Sequence, residues 1–193
     1  MFGARNLRRF RNFKYLALTL SLLVSLANIS CTLNALPEND FGVKIKNFGR
    51  VNENYYRGGQ PKEGDFAALK KLGIKTVIDL RDDKLEKEAG WAKDAGMTYF
   101  LIPLTGSLPA TAEQTEYFLK LVNDPATWPV FVHCAAGRHR TGEMTAIYRI
   151  AHDSWTADQA YAEMKKHGFY SFPNHGSLKE YVYRYYQGRQ AAR

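Results

Sequence analysis

The chain has 193 residues, of which 45% are hydrophobic, 13% aromatic and 24% charged, a balance that excludes a disordered or collagen-like polymer. Two cysteines, Cys31 and Cys134, exclude a disulfide-built scaffold and a cysteine-rich zinc module. The net charge of +8 is lodged at one end: without Arg5, Arg8, Arg9, Arg11 and Lys14 the remainder holds 22 basic and 19 acidic residues, which gives no electrostatic case for nucleic acid.

Those five basic residues precede an apolar run, Tyr15 to Ala27, and no charge follows from Tyr15 through Pro37. This is the order of a secretory signal. A cut after Ala35 fits it, and would leave Cys134 as the single cysteine. The uncharged stretch also suits an uncleaved anchor, although its dense apolar core is shorter than the ~20 residues of a membrane span. A plain N-terminal helix is the third reading. The sequence thus predicts a signal peptide or membrane anchor over residues 1–35 and one domain over 36–193. It also predicts an exported, periplasmic or envelope location, membrane-attached if the segment stays.

Within the domain, residues Leu36 to Asn54 form a mixed entry segment with one strand near Val43–Phe48. Tyr55-Tyr56-Arg57 reads as a short strand broken by Gly58-Gly59-Gln60-Pro61. A helix opens at Pro61, carries Phe66, Leu69 and Leu72, and ends at Gly73. Lys75–Leu80 is a buried strand, Arg81-Asp82-Asp83 a loop, and Leu85–Ala95 a helix stopped by Gly96. Met97–Leu101 is a strand, and Pro103 to Ala110 a loop. Thr111 caps a helix with Phe118, Leu121 and Val122 on one face, which Asp124-Pro125 ends.

Pro129–His133 is a third buried strand, followed by a turn through Cys134–Arg140 into a helix bearing Met144, Ile147 and Ala151. Thr156-Ala157-Asp158-Gln159 matches a capping box for a helix ending at Gly168. The loop Phe169–Gly176 and a helix over Leu178–Tyr186 close the chain. Strands alternating with helices predict an α/β fold, a mostly parallel central sheet with helices on both faces. In such sheets ligands bind at the carboxyl ends of the strands.

His133 through Gly142 carries the chemistry. A strand, a short loop and a helix start let backbone N–H groups converge on one centre, and the helix N-terminus adds positive potential. That geometry suits an oxyanion. The amides of Ala135, Ala136, Gly137, Arg138 and His139 would line it, and Gly137 gives the turn its freedom. Arg140 can grip two oxygens of one phosphate. The same field lowers the pKa of Cys134 and makes a nucleophilic thiolate. Thr141 can donate a hydrogen bond to that sulfur as it leaves.

His133, Cys134, Gly137, Arg140, Thr141 and Gly142 resemble the HCxxGxxR(S/T)G signature of cysteine-dependent protein tyrosine phosphatases. YYRGGQP, LGIKTVIDLR and VFVHC resemble the compact bacterial dual-specificity branch over roughly Asn54 to Tyr186. The resemblance implies hydrolysis of phosphate esters through a phosphocysteine, no metal and no other cofactor. It also implies a phosphorylated substrate, a phosphoprotein or a small ester, and His133 as an orienting residue.

The sequence departs from that pattern at the acid. The family places an aspartate on the loop corresponding to Pro103–Ala112, which here holds no carboxylate. Glu113 is the first candidate, with Asp82 and Asp83 behind it. Arg138 and His139 bring extra positive charge, which would suit a highly anionic substrate. Because the acid is missing, a phosphate-binding module without turnover stands as the alternative. Arg57 reads as a turn residue within reach of the pocket, and Asn174 and His175 are within reach from the last loop. His152 and His167 read as surface residues.

Overall fold

The computed structural model describes residues 42–83 and 86–192, so the expected signal or anchor segment lies outside the described residues. Pro37–Arg193 is a compact unit by itself. Among the described residues no helix is long and apolar enough to cross a membrane.

Five strands form one sheet in the order β1-β2-β5-β3-β4. β1 (Gly49–Asn52) runs antiparallel to β2 (Tyr55–Gly58). β2, β5 (Val130–His133), β3 (Thr76–Arg81) and β4 (Thr98–Leu104) are parallel. β3 and β5 are buried along their whole length, which explains their near-continuous apolar sequences: a central parallel strand is covered on both faces.

The pleat divides the core in two. Val130, Val132, Ile78 and Leu80 face α3 (Ala112–Asn123) and α4 (His139–His152). Phe131 and Val77 face α1 (Asp65–Lys71) and α2 (Glu86–Asp94). α5 (Ala157–Lys166) and α6 (Gly176–Ala191) pack on α4 through Ile147, Ile150, Ala160, Met164, Leu178 and Val182. Each such fully buried aliphatic side chain contributes roughly 1.5–3 kcal/mol.

The expected capping box at Thr156 is present, and a second one closes at Thr111 with Gln114. Gly73 and Gly96 both take positive φ just past their helices, as helix-ending glycines do.

The larger differences from the sequence reading lie at both ends of the chain and around β4 and β5. The first strand lies at Gly49–Asn52, not Val43–Phe48. Asn47 adopts φ 52° and the Phe48 N–H bonds the Ile45 carbonyl, so that segment is a turn whose apolar residues still pack in the core. α1 starts at Asp65 rather than Pro61, because the Asp65 carboxylate accepts the Lys62 N–H and closes a turn ahead of the helix. β4 runs on through Pro103, tolerable because β4 is an edge strand where a missing N–H leaves no partner strand unsatisfied. The last helix extends to Ala191, and a short 3-10 turn, Pro125–Thr127, precedes β5. The loop after β4 therefore begins at Thr105.

Candidate active site

All four parallel strands deliver a segment to the same sheet edge. Gly59-Gln60 follows β2, which ends at Gly58, Asp82 follows β3, the loop 105–111 follows β4, and Cys134 follows β5. Three consecutive carbonyls of the β5–α4 loop are pinned from outside. Ala135 O accepts from the Gln60 N–H at 3.2 Å, Ala136 O from Asn47 Nδ2 at 2.8 Å, and Gly137 O from Arg57 Nη2 at 2.7 Å. In a trans peptide the N–H points opposite to the carbonyl before it. The amides of Ala136, Gly137 and Arg138 are thereby turned to the inner side, which makes an anion cup at the start of α4.

Gly137 is required there twice over. Its φ is +68°, and a Cβ at that position would lie 2.5 to 2.7 Å from the backbone of Gly58 and Gly59. The Gly-Gly turn after β2 is thus the floor on which the loop rests. The sequence reading saw it only as a strand break.

Cys134 is a buried free thiol. Arg140 reaches across from the first turn of α4, where its Nη1 donates to Asp82 Oδ1 at 2.8 Å and to the Leu104 carbonyl at 3.1 Å. Thr141 Oγ1 donates to the Gly58 carbonyl at 3.4 Å, which ties α4 to the glycine floor. Glu113 sits on the exposed first turn of α3 and makes no hydrogen bond or ion pair among the described residues. Asp83 is exposed, whereas Asp82 touches Arg140.

Beneath the cup lies a buried charge network that sequence reasoning missed. Arg81 bonds Asp79 at 2.6 Å and Glu88 at 2.8 Å, and Tyr99 donates to Asp79 at 2.8 Å. Burial pushes the Asp79 carboxyl up, but the Arg81 bonds, His133 and Tyr99 outweigh it and hold the carboxyl below its ordinary range. His133 stands between the two acids, with Nε2 2.7 Å from Glu88 Oε1 without the alignment of a hydrogen bond, and Nδ1 3.9 Å from Asp79. Asp79, Glu88 and His133 are grouped closely enough to hold a cation, and the Arg81 guanidinium already occupies that role. Part of the signal was present in the sequence, as Asp79 and Arg81 inside the otherwise apolar strand β3, whereas Glu88 sits in a helix rich in charge and does not stand out.

The walls are set by two side chains. Glu143 on α4 is buried and accepts the Ala110 N–H at 3.0 Å, which moors the 105–111 loop. Burial raises its carboxyl pKa to about 8, so it is protonated at neutral pH. His139 stacks on His175 with ring centroids 3.6 Å apart, and Tyr170 meets it edge-on at 4.4 Å. Burial, then His175, Arg138 and Arg140, lower the His139 pKa to about 4. His139 therefore adds no positive charge at neutral pH, contrary to the sequence reading, and His175 does reach the site. Ser177 Oγ bonds the Ser107 carbonyl, which joins the two flanking loops. Their tips expose Leu108 (60%), Tyr170 (48%) and Phe172 (87%). The cavities lined by Arg50, Asn52 and Trp128, and by Asn47, Glu163 and His167, lie elsewhere.

A buried thiol at the head of an amide cup, with a guanidinium on the first turn of the helix that follows, is an arrangement suited to phosphoryl transfer through a thiol, and it points to the class of the cysteine-dependent phosphatases. Comparison with known proteins agrees. The family model described as DSP-PTPase phosphatase fused to NAD+ kinase matches residues 42–180, and the chain belongs to that family. It is 30% identical over 124 residues to the dual specificity protein phosphatase TpbA of Pseudomonas aeruginosa, which covers 64% of this chain and 55% of TpbA. The TpbA crystal structure superposes with a TM-score of 0.64 at 26% identity, covering 76% of this chain and 90% of that one. The catalytic core of the Saccharomyces cerevisiae phosphatase SIW14, described as a PP-IP phosphatase, shares the fold at 21% identity, with a TM-score of 0.63 over 72% of this chain and 84% of that one. The chain is a phosphatase of the protein-tyrosine-phosphatase type.

Proposed function

We propose that Cys134 attacks phosphorus, so that an S–P bond forms while the ester P–O bond breaks and the departing oxygen takes a proton. Water then attacks the phosphocysteine, the S–P bond breaks, and phosphate leaves as Cys134 recovers its thiolate. Arg140 and the amides of Ala136, Gly137 and Arg138 hold the equatorial oxygens throughout, with Ala135 and His139 completing the cup wall. The outward pinning of three successive carbonyls carries this reading. The assay is hydrolysis of p-nitrophenyl phosphate by the purified chain without added metal. Inhibition by vanadate and loss in Cys134→Ser are expected. Phosphate binding without turnover would instead support the binding-module reading.

Asp82 is the proton donor we favour. It alone of the three candidate carboxylates touches the phosphate-binding arginine, and Glu113 is second. Asp82→Asn should slow an alkyl phosphate about 100-fold and an aryl phosphate far less, because a phenolate leaves without help. Glu113→Gln should change both less than threefold. The reverse pattern assigns the acid to Glu113.

The substrate we favour is a phosphotyrosyl side chain in a protein. With His139 neutral, the cations of the loop are Arg138 and Arg140 alone, and the rim is aromatic. A TpbA structure in complex with pTyr fits that choice. Higher kcat/KM on an inositol pyrophosphate than on a phosphotyrosyl peptide would overturn it. An envelope location rests on the basic-then-apolar order of residues 5–27, and N-terminal sequencing of the mature protein tests cleavage after Ala35.

A further inference from the structure

Arg57 is 1% exposed and ranks among the most buried large side chains of the domain. Buried arginines ordinarily meet a carboxylate, because an unpaired charge in the interior costs several kcal/mol. Arg57 meets none. Its Nη2 donates to the Gly137 carbonyl, while Nε and Nη1 have no hydrogen-bond partner. Glu163, an acid whose charge acts on it, is bonded through both oxygens to Arg149.

The charges around Arg57 come from every side. Tyr55 shares its strand, Arg149 and Glu163 belong to α4 and α5, and Cys134 follows β5. His133, with Asp79 and Glu88 behind it, lies in the strand beside Gly58, Arg138 ends the loop and Arg140 is on the first turn of α4. Of these, the acidic groups other than Glu163 are locked to Arg81. Arg57 is in register with Val132, two residues before Cys134, so the alternation of the strands puts it on the side of the sheet where Val132 and Cys134 pack, and its bond to the Gly137 carbonyl holds it under the loop. A cation kept dry and without a bonded counter-ion has its compensation where the anion forms.

We propose that Arg57 is a positioning residue for the phosphatase reaction: from beneath the loop it is the counter-cation of the Cys134 thiolate, and through the Gly137 carbonyl it turns the Arg138 amide into the cup. This rests on the phosphocysteine reading above. It also explains why an arginine precedes the Gly-Gly floor: one side chain fixes the loop and charges its underside.

Alkylation of Cys134 by iodoacetamide, followed against pH on the full chain by mass spectrometry of the Cys134 peptide, reports the thiolate directly. Arg57→Gln should raise the pH midpoint by at least one unit while the circular dichroism spectrum stays native. An unchanged midpoint in a folded Arg57→Gln protein overturns the proposal. If that variant does not fold, Arg57→Lys decides: its retained charge should keep the midpoint within about half a unit of wild type even as turnover falls, and a rise of a unit or more overturns the charge role. The alkylation profile does not need turnover. Failure of the wild-type chain to hydrolyse any phosphate ester would sink the phosphocysteine reading and leave the Arg57 result to stand separately.

Discussion

Gly137 shows how narrow the tolerances are at the scale of one residue. Gly137→Ala would put a methyl into the backbone of Gly58 and Gly59 at an unfavourable φ, so one segment must move. The loss in kcat/KM on p-nitrophenyl phosphate should exceed about tenfold, from strain of ~1–3 kcal/mol placed on the cup. Glu143 makes a different prediction. Its folded pKa of about 8 is raised above the value of an ordinary glutamate, so between about pH 4.5 and 8 the unfolded chain ionises while the folded one stays protonated. Stability is complete below that window, falls as pH rises through it, and loses no more once the folded carboxyl has ionised. Glu143→Gln should flatten that slope, by roughly 2–5 kcal/mol across the window. Chemical denaturation at pH 5, 6.5 and 8 measures it, and an equal slope in both proteins would refute the assignment. Cys134 and Arg140 were legible in the sequence because their spacing is local. Asn47 and Glu143 were not, because each acts on a backbone group far away in the chain.

At the scale of elements, Arg149 binds α4 to α5. It pairs with Asp153 and Glu163 at 2.7 Å each and lies 4.3 Å over the Trp155 ring. Arg149→Met leaves two partly buried carboxylates without their cation, which should cost about 1–3 kcal/mol in urea unfolding. A change below about 0.5 kcal/mol would show the pairs to be solvent-screened. Element types were readable from period and caps, as the buried runs of β3 and β5 and the boxes at Thr111 and Thr156 attest. β1 was misplaced because its residues, Gly-Arg-Val-Asn, hold a single apolar side chain. Pairing with β2 makes it a strand, where its own propensity does not.

At the scale of the molecule, the parallel sheet brings the ends of four strands to one rim, so the site is a property of topology as much as of sequence. Every described site residue belongs to the compact unit Pro37–Arg193. A chain lacking residues 1–36 should therefore hydrolyse p-nitrophenyl phosphate within about twofold of the full chain, since the acting groups are all retained. A loss of more than tenfold would show that the N-terminal segment takes part in the site.

The residues by themselves determined the α/β class and marked out the proposed nucleophile and its anion-binding loop, because these depend on side chains within one strand-turn-helix and on periodicities of a few residues. Only the tertiary structure decided what holds that loop open, which carboxylate meets Arg140 and which histidine loses its charge. Those outcomes turn on the burial and distance of groups that the fold brings together from separate strands, and on a pKa set by the surroundings, not by the residue type.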